Sequence, residues 1–503
     1  MLELSAETRK RHLEAMGDRV LDLLVVGGGI TGAGVALDAA SRGLSVALVE
    51  REDFASGTSG RSSRLIHGGA RYLQRGELGL VYEAVRERAL LLRLAPHLVR
   101  PLGFLIPVRR AVSRAYMAFG VTLYDAVAAG RNLRRHRWFD PDEVARLAPS
   151  LKHRSGGYVS WDCRTDDARL TLEVVRQAVA HGALVANHAE VRDLTGEGQV
   201  TGALVEDRTT GSRVAVRAWI VVNATGAWAD RVGALAGPPG RRLRPSKGVH
   251  IVLERSRLPV RCAVMVPSVA RDGSMVFAVP WGPRVYAGTT DTPYPGPLED
   301  PAVEAADAEV ILGSLGPAFG GDLGQADVRA SWAGVRPLLD TGRGSTRDLS
   351  RRHVVYEHPP GLITVTGGKL TTYRAMAEDV VDLVCRRLRR GDRCLTRALS
   401  LGLTGPLRPE LERAAGDAAA LGLPPATGRR LVERYGDDWP EAVTAIRDDS
   451  GLAEPAFPGL PVLRVEAHMA GLREMALTDD DVWVRRTRLA TMDDRASADL
   501  APR

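Results

Sequence analysis

Three cationic residues stand in apolar or glycine-rich sequence, where a solvated charge is not expected. They are Arg71, Arg336 within Gly-Val-Arg-Pro-Leu, and Lys369 within Gly-Gly-Lys-Leu. Because burial of an unpaired cation is costly, each of them needs an anionic partner. A carboxylate or a cofactor pyrophosphate are the alternatives, but we favour the anionic group of a small substrate. Tyr72, beside Arg71, would either hydrogen-bond to that substrate or pack against a ring.

Two histidines are candidates for a proton acceptor in such a site. His250 lies in Lys-Gly-Val-His-Ile, and His67 lies in Ile-His-Gly-Gly. Imidazole titrates near working pH and can accept the proton of a hydroxyl group while hydride leaves the alcohol carbon. We assign the base to His250 and expect His67 to pack or hydrogen-bond near the cofactor.

The element that must position these residues is a βαβ unit of the dinucleotide-binding kind. The apolar run 21–26 predicts a buried strand, GxGxxG follows at 27–32, and a helix and a second strand over 45–50 come next. The glycines permit a tight turn and close approach of a pyrophosphate, which would lie at the helix N-terminus. Glu50, at the end of the second strand, would accept hydrogen bonds from ribose hydroxyls and repel a 2′-phosphate, which argues against NADP.

Two further segments bear on the cofactor, because the glycine motif alone does not separate FAD from NAD. Residues 56–73 are small and rich in hydroxyl groups, which suits the passage of a bulky cofactor. Residues 219–226 predict a buried strand that ends at Gly226, where the backbone can come close to a ligand.

Several blocks in order resemble the FAD-dependent, respiratory type of glycerol-3-phosphate dehydrogenase, in the D-amino-acid-oxidase-like superfamily. The resemblance runs from about residue 20 to 492 and includes GGGITGAG, SSRLIHGGARYL, DCRTDDARL, VVNATGAW, SKGVHIV, YAGTTDT, WAGVRPL, TGGKLTTYR and REMALTDDDVWVRRTRLA. Departures are small: Thr31 stands where the family usually has Asn, and Arg64 where Lys is frequent.

The resemblance implies both a fold and a reaction. The fold is α/β, with a GxGxxG-type FAD-binding Rossmann-like domain, a β-rich substrate domain and a C-terminal helical domain. The reaction is oxidation of sn-glycerol 3-phosphate to dihydroxyacetone phosphate, with hydride transfer to FAD and electrons passed on to a membrane quinone. We expect FAD-binding pieces at about 20–95, 165–235 and 350–390, substrate-domain pieces at about 96–164 and 236–349, and the helical domain at 391–503.

The same resemblance, together with the residues above, gives a set of expected site residues. Catalysis is assigned to His250 and Arg336, and substrate binding to Arg71, Tyr72, Arg336 and Lys369. The expected cofactor-binding residues are Gly27, Gly29, Gly32, Glu50, Ser62, Ser63, Leu65, His67, Val191, Ala224, Gly226, Gly368, Leu370 and Thr371.

Local patterns predict individual elements in the later half of the chain. Residues 275–281 and 284–290 are two β-rich runs joined at Gly-Pro, as in a hairpin. Helices are expected over 429–435, closed by Gly436, and over 465–475. Residues 493–503 are expected to form a frayed tail.

Composition limits the class of protein. The chain has 503 residues and a net charge of +7, and 64 of its 68 basic residues are arginine. Two of the four lysines, Lys247 and Lys369, lie in the blocks above, which suggests that arginine could not replace them.

The four cysteines have no metal-site spacing and suggest reduced thiols in the cytoplasm, so no metal is expected. No signal peptide or spanning helix is predicted.

One segment suggests a membrane surface. Seven arginines lie between Gly103 and Trp138 against one acid, Asp125, with aromatic residues interleaved. This pattern suits contact of a monotopic protein with the inner face of the cytoplasmic membrane, and it equally suits a solvated arginine face. A homodimer is one option for the assembly.

Other functions stay open at this point. An oxidase of the same family would pass electrons to O₂, an amine oxidase of the wider superfamily would need an anchor for a carboxylate, and a non-catalytic flavoprotein would bind FAD without reacting. A nucleic-acid partner is not expected, because no recognisable motif surrounds the basic segment.

Overall fold

The computed structural model describes residues 3–69, 73, 76–108, 111–152, 156–238, 243–270, 274–340 and 352–496. Within these ranges the strands, in chain order, are β1 (Leu21–Val26), β2 (Val46–Val49), β3 (Leu65–Ile66), β4 (Arg100–Pro107), β5 (Arg137–Phe139), β6 (Gly157–Arg164), β7 (Leu184–Ala186), β8 (Ala189–Thr195), β9 (Gly202–Asp207), β10 (Arg213–Asn223), β11 (Leu243–Glu254), β12 (Ala263–Pro267), β13 (Met275–Trp281), β14 (Arg284–Gly288), β15 (Thr292–Pro293), β16 (Val328–Leu339), β17 (Val354–Glu357) and β18 (Leu362–Thr366).

The helices of the same ranges are α1 (Ala6–Asp18), α2 (Ile30–Ser41), α3 (Leu78–Leu94), α4 (Ala111–Val127), α5 (Pro141–Leu147), α6 (Asp167–Ala180), α7 (Ala229–Gly233), α8 (Ala305–Phe319), α9 (Tyr373–Arg387), α10 (Leu407–Ala420), α11 (Pro425–Tyr435), α12 (Trp439–Asp448), α13 (Arg464–Arg473) and α14 (Leu489–Met492). A π-helix spans Asp481–Arg486, between α13 and α14.

The first sheet has eight strands around a parallel centre. Its main path is β17-β18-β10-β1-β2-β7, and β8 and β9 extend β10 as an antiparallel ribbon. Leu23 and Val25 of β1 face α2, α6 and α9, whereas Leu21 and Leu24 face the core formed with α1 and the ribbon. Because helices or strands cover both faces, β1 is a continuous apolar run, as expected for a parallel strand.

The predicted βαβ unit is confirmed. Strand β1 pairs in parallel with β2 and leads through the glycine turn into α2. Small residues allow α2 to pack closely, since a Cβ atom on Gly34 would lie 2.9 Å from the Tyr373 ring on α9. The turn is therefore fixed between a buried sheet and a buried helix.

The second sheet has ten strands and lies beside the first. Its main path is β15-β11-β14-β13-β12-β4-β6-β3, with β16 paired to β11 and β5 paired to β6. The predicted hairpin is confirmed as β13 and β14, although β14 ends at Gly288 rather than at Thr290. Strands β11 and β16 pair over eleven positions, and their register places Trp332 opposite His250 and Arg336 opposite Ser246.

The later part of the chain is helical, as predicted. Helix α11 contains the expected span and ends at Gly436, with a positive φ of 54°, and α13 covers most of the second expected helix. The prediction of a frayed tail is wrong for residues 493–496, the part of that segment that the structure describes. Asp493 is fully buried and accepts hydrogen bonds from Arg284 and Arg495, because a buried guanidinium of β14 needs a carboxylate.

The described ranges contain no helix that is both long enough and apolar enough to cross a membrane. Three of the four cysteines, Cys163, Cys262 and Cys385, are buried, and burial raises the pKa of each thiol, to about 12 for Cys163 and Cys262.

Candidate active site

A large cavity of about 1610 Å³ brings together residues from both sheets. A typical pocket for a small molecule has roughly 300–1,000 Å³, so this one has room for an extended cofactor and a substrate. The expected site residues that line it are Gly27, Gly29, Glu50, Ser62, Ser63, Leu65, His67, Val191, Ala224, Gly226, His250, Arg336, Gly368, Lys369, Leu370 and Thr371. Arg71 and Tyr72 lie outside the described residues.

The glycine turn forms one end of the cavity and fits a dinucleotide. Gly27 has a φ of +109°, and a Cβ atom on Gly32 would lie 1.9 Å from the carbonyl oxygen of Gly27. Gly32 therefore does not line the cavity; it lets α2 close onto the turn. Gly29 is the N-cap of α2 and contributes no capping side chain, and the helix N-terminus faces the cavity, where the helix dipole favours an anion.

Glu50 is fixed at the end of β2. Its carboxylate accepts hydrogen bonds from the backbone N–H of Gly28 at 2.6 Å and of Glu52 at 2.9 Å, and burial raises the pKa of this carboxyl group. An ionised carboxylate has about four acceptor positions. The two backbone bonds orient the group and leave capacity for the ribose hydroxyls of an adenosine.

The hydroxyl-rich loop at 58–63 links the two sheets. Ser59 Oγ accepts a hydrogen bond from the N–H of Ile30 at the start of α2. The Ser62 hydroxyl donates to Asp167 at 2.6 Å, and Ser63 Oγ lies 3.0 Å from His250 Nε2. The loop thus brings the first helix turn of the cofactor region next to the candidate base.

His250 is buried on β11 in a defined orientation. Its ring stacks on the indole of Trp332, and Nδ1 has no hydrogen-bond partner among the described residues. Burial, with Arg336 and Arg64 nearby, lowers the pKa of His250 to about 3. The imidazole is therefore neutral at physiological pH, and a neutral ring can accept a proton.

Gly288, which the sequence analysis did not single out, makes room for this ring. A Cβ atom on Gly288 would lie 2.4 Å from Cδ2 of His250. The role of Gly288 becomes visible only from the pairing of β11 with β14, because that register places Gly288 opposite His250.

Arg336 is positioned by the segment after β14. Nη2 donates to Thr289 Oγ1 at 2.9 Å and to the Thr290 carbonyl at 3.1 Å, and Nη1 lies 3.6 Å from an Asp291 carboxylate oxygen. Gly248 leaves space for the guanidinium, since a Cβ atom there would lie 2.3 Å from Nη2. Arg336 thus reaches the cavity beside His250, from the neighbouring strand.

Lys369 and Lys247 differ in their surroundings. Lys369 lines the cavity and precedes the short 3₁₀ turn Leu370–Thr372. Lys247 points elsewhere: its ammonium donates to Asp307 at 2.7 Å and to the Ala302 carbonyl. Lys247 therefore does not line the cavity, and a buried carboxylate, that of Asp307, is its anionic partner.

His67 lines the cavity next to the 370–372 turn. Its backbone N–H donates to Thr371 Oγ1 at 3.2 Å, and the Thr371 hydroxyl lies 3.3 Å from its carbonyl. This pair of contacts ties two expected cofactor segments together across a long stretch of chain.

Arg64 is a feature that sequence reasoning missed. Its guanidinium is buried between Trp281 and Trp332, with its carbon 3.9 and 4.7 Å from the two ring centroids. None of its three nitrogens has a hydrogen-bond partner among the described residues, and burial lowers its pKa to about 10. No local pattern identifies this arrangement, because the aromatic rings come from β13 and β16.

Comparisons with known proteins agree with this geometry. The family described as "FAD dependent oxidoreductase" matches residues 22–383, and the "C-terminal domain of alpha-glycerophosphate oxidase" matches residues 394–503. "Glycerol-3-phosphate dehydrogenase 2" of Mycobacterium tuberculosis is 40% identical over 94% of this chain and 82% of its own length. "Aerobic glycerol-3-phosphate dehydrogenase" of Bacillus subtilis is 37% identical over 96% and 90%.

The chain belongs to the FAD-dependent glycerol-3-phosphate dehydrogenase family. A crystal structure of the glycerol-3-phosphate dehydrogenase from Bacillus halodurans complexed with FAD is similar, with a TM-score of 0.81 and 34% identity over 99% of this chain and 91% of that one. Glycine oxidase from Geobacillus kaustophilus, at 23% identity and a TM-score of 0.57, covers 77% of this chain and shares the fold.

Membership of this family makes FAD the cofactor. The site accommodates it, because the glycine turn, Glu50 and the 370–372 turn line one continuous cavity. The predicted α/β fold with a GxGxxG cofactor domain and a helical C-terminal region is confirmed.

Proposed function

We propose that this protein oxidises sn-glycerol 3-phosphate to dihydroxyacetone phosphate and passes the electrons on to a quinone. One observation carries the proposal: a neutral histidine and an arginine, on paired strands β11 and β16, line the same cavity as the dinucleotide turn. The names of the relatives, which are glycerol-3-phosphate dehydrogenases, support the substrate.

Each residue has a distinct part in the proposed reaction. Arg336 and Lys369 bind the phosphate group, with Arg71 and Tyr72 as further predicted contacts, because guanidinium and ammonium groups form strong charge-assisted hydrogen bonds to phosphate. His250 accepts the proton of the C2 hydroxyl while hydride leaves C2. Bound FAD supplies the hydride acceptor.

The surroundings of His250 suit this part. A protonated imidazole could not accept a proton, and the low pKa keeps the ring neutral over the physiological range. A phosphate group bound to Arg336 would offset the charge of that arginine, which lowers the pKa of His250 in the free protein, and would therefore raise this pKa.

The first experiment is an anaerobic titration of the purified holoenzyme, followed by the absorbance of oxidised flavin. We expect glycerol 3-phosphate to bleach the flavin band, and glycerol and amino acids to leave it unchanged. Bleaching by glycerol would contradict the phosphate anchor, and bleaching by amino acids would favour an amine oxidase. A band that no small substrate bleaches would favour a non-catalytic flavoprotein.

The electron acceptor needs a separate measurement. Turnover with a short-chain quinone under anaerobic conditions would support the proposed dehydrogenase. Rapid oxygen uptake with stoichiometric peroxide, and no gain from added quinone, would instead make the protein an oxidase.

We also propose that the membrane-facing surface lies on α3 and α4, at the inner face of the cytoplasmic membrane. Tyr116 and Phe119 of α4 are 63% and 69% exposed, and Leu78 and Tyr82 of α3 are also exposed. Helices α3 and α4 contact each other, so these exposed side chains stand on neighbouring elements, as a membrane-binding surface requires. This cluster is called the α3–α4 patch below.

Two arginines stack on aromatic rings in or near the α3–α4 patch. Arg131 lies over Tyr82, with its guanidinium carbon 5.2 Å from the ring centroid, and Arg114 lies 4.0 Å over Trp138. Aromatic side chains flanked by arginine suit the interfacial region of a bilayer with anionic lipids. Arg109 and Arg110, two of the seven arginines in the basic segment between Gly103 and Trp138, lie outside the described residues.

A further inference from the structure

The C-terminal part of the chain reaches back to the turn that follows β2. Asp53, in that turn, is fully buried. Its carboxylate accepts hydrogen bonds from Arg485 Nε at 2.9 Å and Arg486 Nη2 at 2.8 Å, and from the Asn187 side chain at 2.9 Å. Two guanidinium groups of the π-helix thus neutralise one carboxylate of the cofactor region.

A second buried contact lies beside the first. His188 Nε2 is 2.9 Å from an Asp481 carboxylate oxygen, and the backbone N–H of His188 donates to the Glu52 carbonyl at 2.6 Å. The Asn187 side chain also donates to the Met475 carbonyl at 2.8 Å. The π-helix and the segment that follows α13 are therefore joined to both segments that flank Glu50.

Glu50 lies at the centre of these contacts. Its carboxylate depends on the N–H of Glu52, and its carbonyl accepts from Ala189 at 2.7 Å. Leu477 and Arg485 line the same cavity as Glu50. The position of the ribose-binding carboxylate is thus set on one side by β2 and on the other by the C-terminal helices.

We propose that the C-terminal helices are part of the cofactor site: the Asp53–Arg485–Arg486 and His188–Asp481 contacts position the turn that carries Glu50 and so set the affinity for FAD. Positioning of this kind strengthens binding because the free protein does not have to order the group when the ligand arrives. Removal of one partner from a buried ion pair leaves the other charge without a partner. The surrounding turn then has to move so that water can reach that charge.

Asp53→Asn tests the proposal, because it keeps the shape of the side chain and removes its charge. Asp493→Asn is the matched control. Asp493 is also fully buried, also neutralised by two arginines, and also joins the C-terminal residues to the rest of the chain, but through Arg284 on β14. The measurement is the FAD dissociation constant of the apoprotein, from quenching of flavin fluorescence, with the thermal midpoint of each apoprotein alongside.

We expect Asp53→Asn to bind FAD at least about tenfold more weakly than the unaltered protein, a difference that is large for one side chain, and Asp493→Asn to bind within about twofold. Equal loss of affinity in both variants would show a general effect of stability and would overturn the proposal. Unchanged affinity in Asp53→Asn would overturn it as well.

Asp481→Asn is the second variant, in case Asp53→Asn does not fold. It weakens the contact of Asp481 with His188 and also that with Arg485, whose Nη2 donates to Asp481 at 2.5 Å, while the hydrogen bonds of Arg485 Nε and Arg486 to Asp53 can still form. We therefore expect weaker FAD binding, in the same direction as for Asp53→Asn. Unchanged FAD affinity in this variant would contradict the proposal. Because the readout is FAD binding without substrate, it does not depend on which alcohol the enzyme oxidises.

Discussion

The imidazole of His250 lies parallel to the indole of Trp332, with ring centroids 4.8 Å apart and an angle of 10° between the planes. Trp332 is in turn fixed by its Nε1–H, which donates to the Ser62 carbonyl at 3.2 Å, and by the guanidinium of Arg64. A ring fixed in this way cannot rotate freely. The orientation of the candidate base is therefore determined in part by Trp332 and Arg64, which do not line the cavity.

His250→Asn should abolish most flavin reduction by glycerol 3-phosphate while the variant retains FAD. Loss of a general base slows a reaction by about 10²–10⁴-fold. Stopped-flow reduction measures the rate, and the ratio of flavin to protein absorbance measures FAD content. A near-normal rate in this variant, with a large loss in His67→Asn instead, would move the base to His67.

Arg336→Met should raise the KM for glycerol 3-phosphate. A hydrogen bond to a charged group contributes about 1.5–3 kcal/mol, so we expect KM to rise about 10- to 100-fold, with a smaller rise in Arg336→Lys. Arg329→Met is the control on the same strand, because Arg329 pairs with Glu254 and does not line the cavity. Equal KM values for Arg336→Met and Arg329→Met would contradict the assignment.

Stability should fall as the pH decreases below about 6.5, the pKa of histidine in an unfolded chain. Burial, with Arg169, Arg100 and Arg176 nearby, lowers the pKa of His97 to about 3, so the unfolded chain binds a proton in this window that the folded protein does not. Each such histidine costs about 1.4 kcal/mol of stability per pH unit between the two pKa values.

His97→Gln should therefore flatten the loss of stability at acid pH. Thermal midpoints at about pH 7.5 and about pH 5 measure the effect, since the upper part of the window, from about pH 6.5 downward, lies between them. His181→Gln, at an exposed position, is the control. A fall in midpoint as steep in His97→Gln as in the unaltered protein would exclude His97 as a source of acid sensitivity.

The double variant Tyr116→Ser/Phe119→Ser should lose affinity for vesicles that contain phosphatidylglycerol. Transfer of an aromatic side chain out of water contributes about 1.5–3 kcal/mol, so we expect at least about a tenfold loss in sedimentation with vesicles. Trp219→Ser is the control, because Trp219 is 61% exposed on β10, outside the α3–α4 patch. Retention of full binding by the double variant, or an equal loss in the control, would contradict the proposed surface.

The sequence predicted the parts of the fold that depend on local patterns. The βαβ unit, the β13–β14 hairpin and the helices near 429 and 465 each follow from spacing within a few residues. Most of the residues that line the cavity could also be predicted, because the family resemblance identifies sequence blocks that contribute to it, such as the block around Lys369. Sixteen of the expected site residues line the cavity, while Gly32 packs behind it.

What sequence reasoning missed depends on contacts between distant parts of the chain. Asp53 and Arg486 are 433 positions apart, and nothing in either neighbourhood indicates the other. The same holds for Arg64 between its two indoles, and for Lys247, whose acidic partner lies on α8. The tail was expected to fray because chain ends are often poorly ordered, but the buried guanidinium of Arg284 needs an anionic partner, and Asp493 supplies it.

The pairing of β11 with β16 has a mechanical consequence. His250 and Arg336 belong to one sheet, whereas the glycine turn belongs to the other. A small rotation of one sheet against the other would change the distance from the substrate carbon to the flavin, and would leave the distance between His250, the candidate base, and Arg336, the proposed phosphate anchor, unchanged. Substitutions at the junction of the two sheets would then change the size of the deuterium kinetic isotope effect on oxidation at C2. They would leave the affinity for the substrate unchanged.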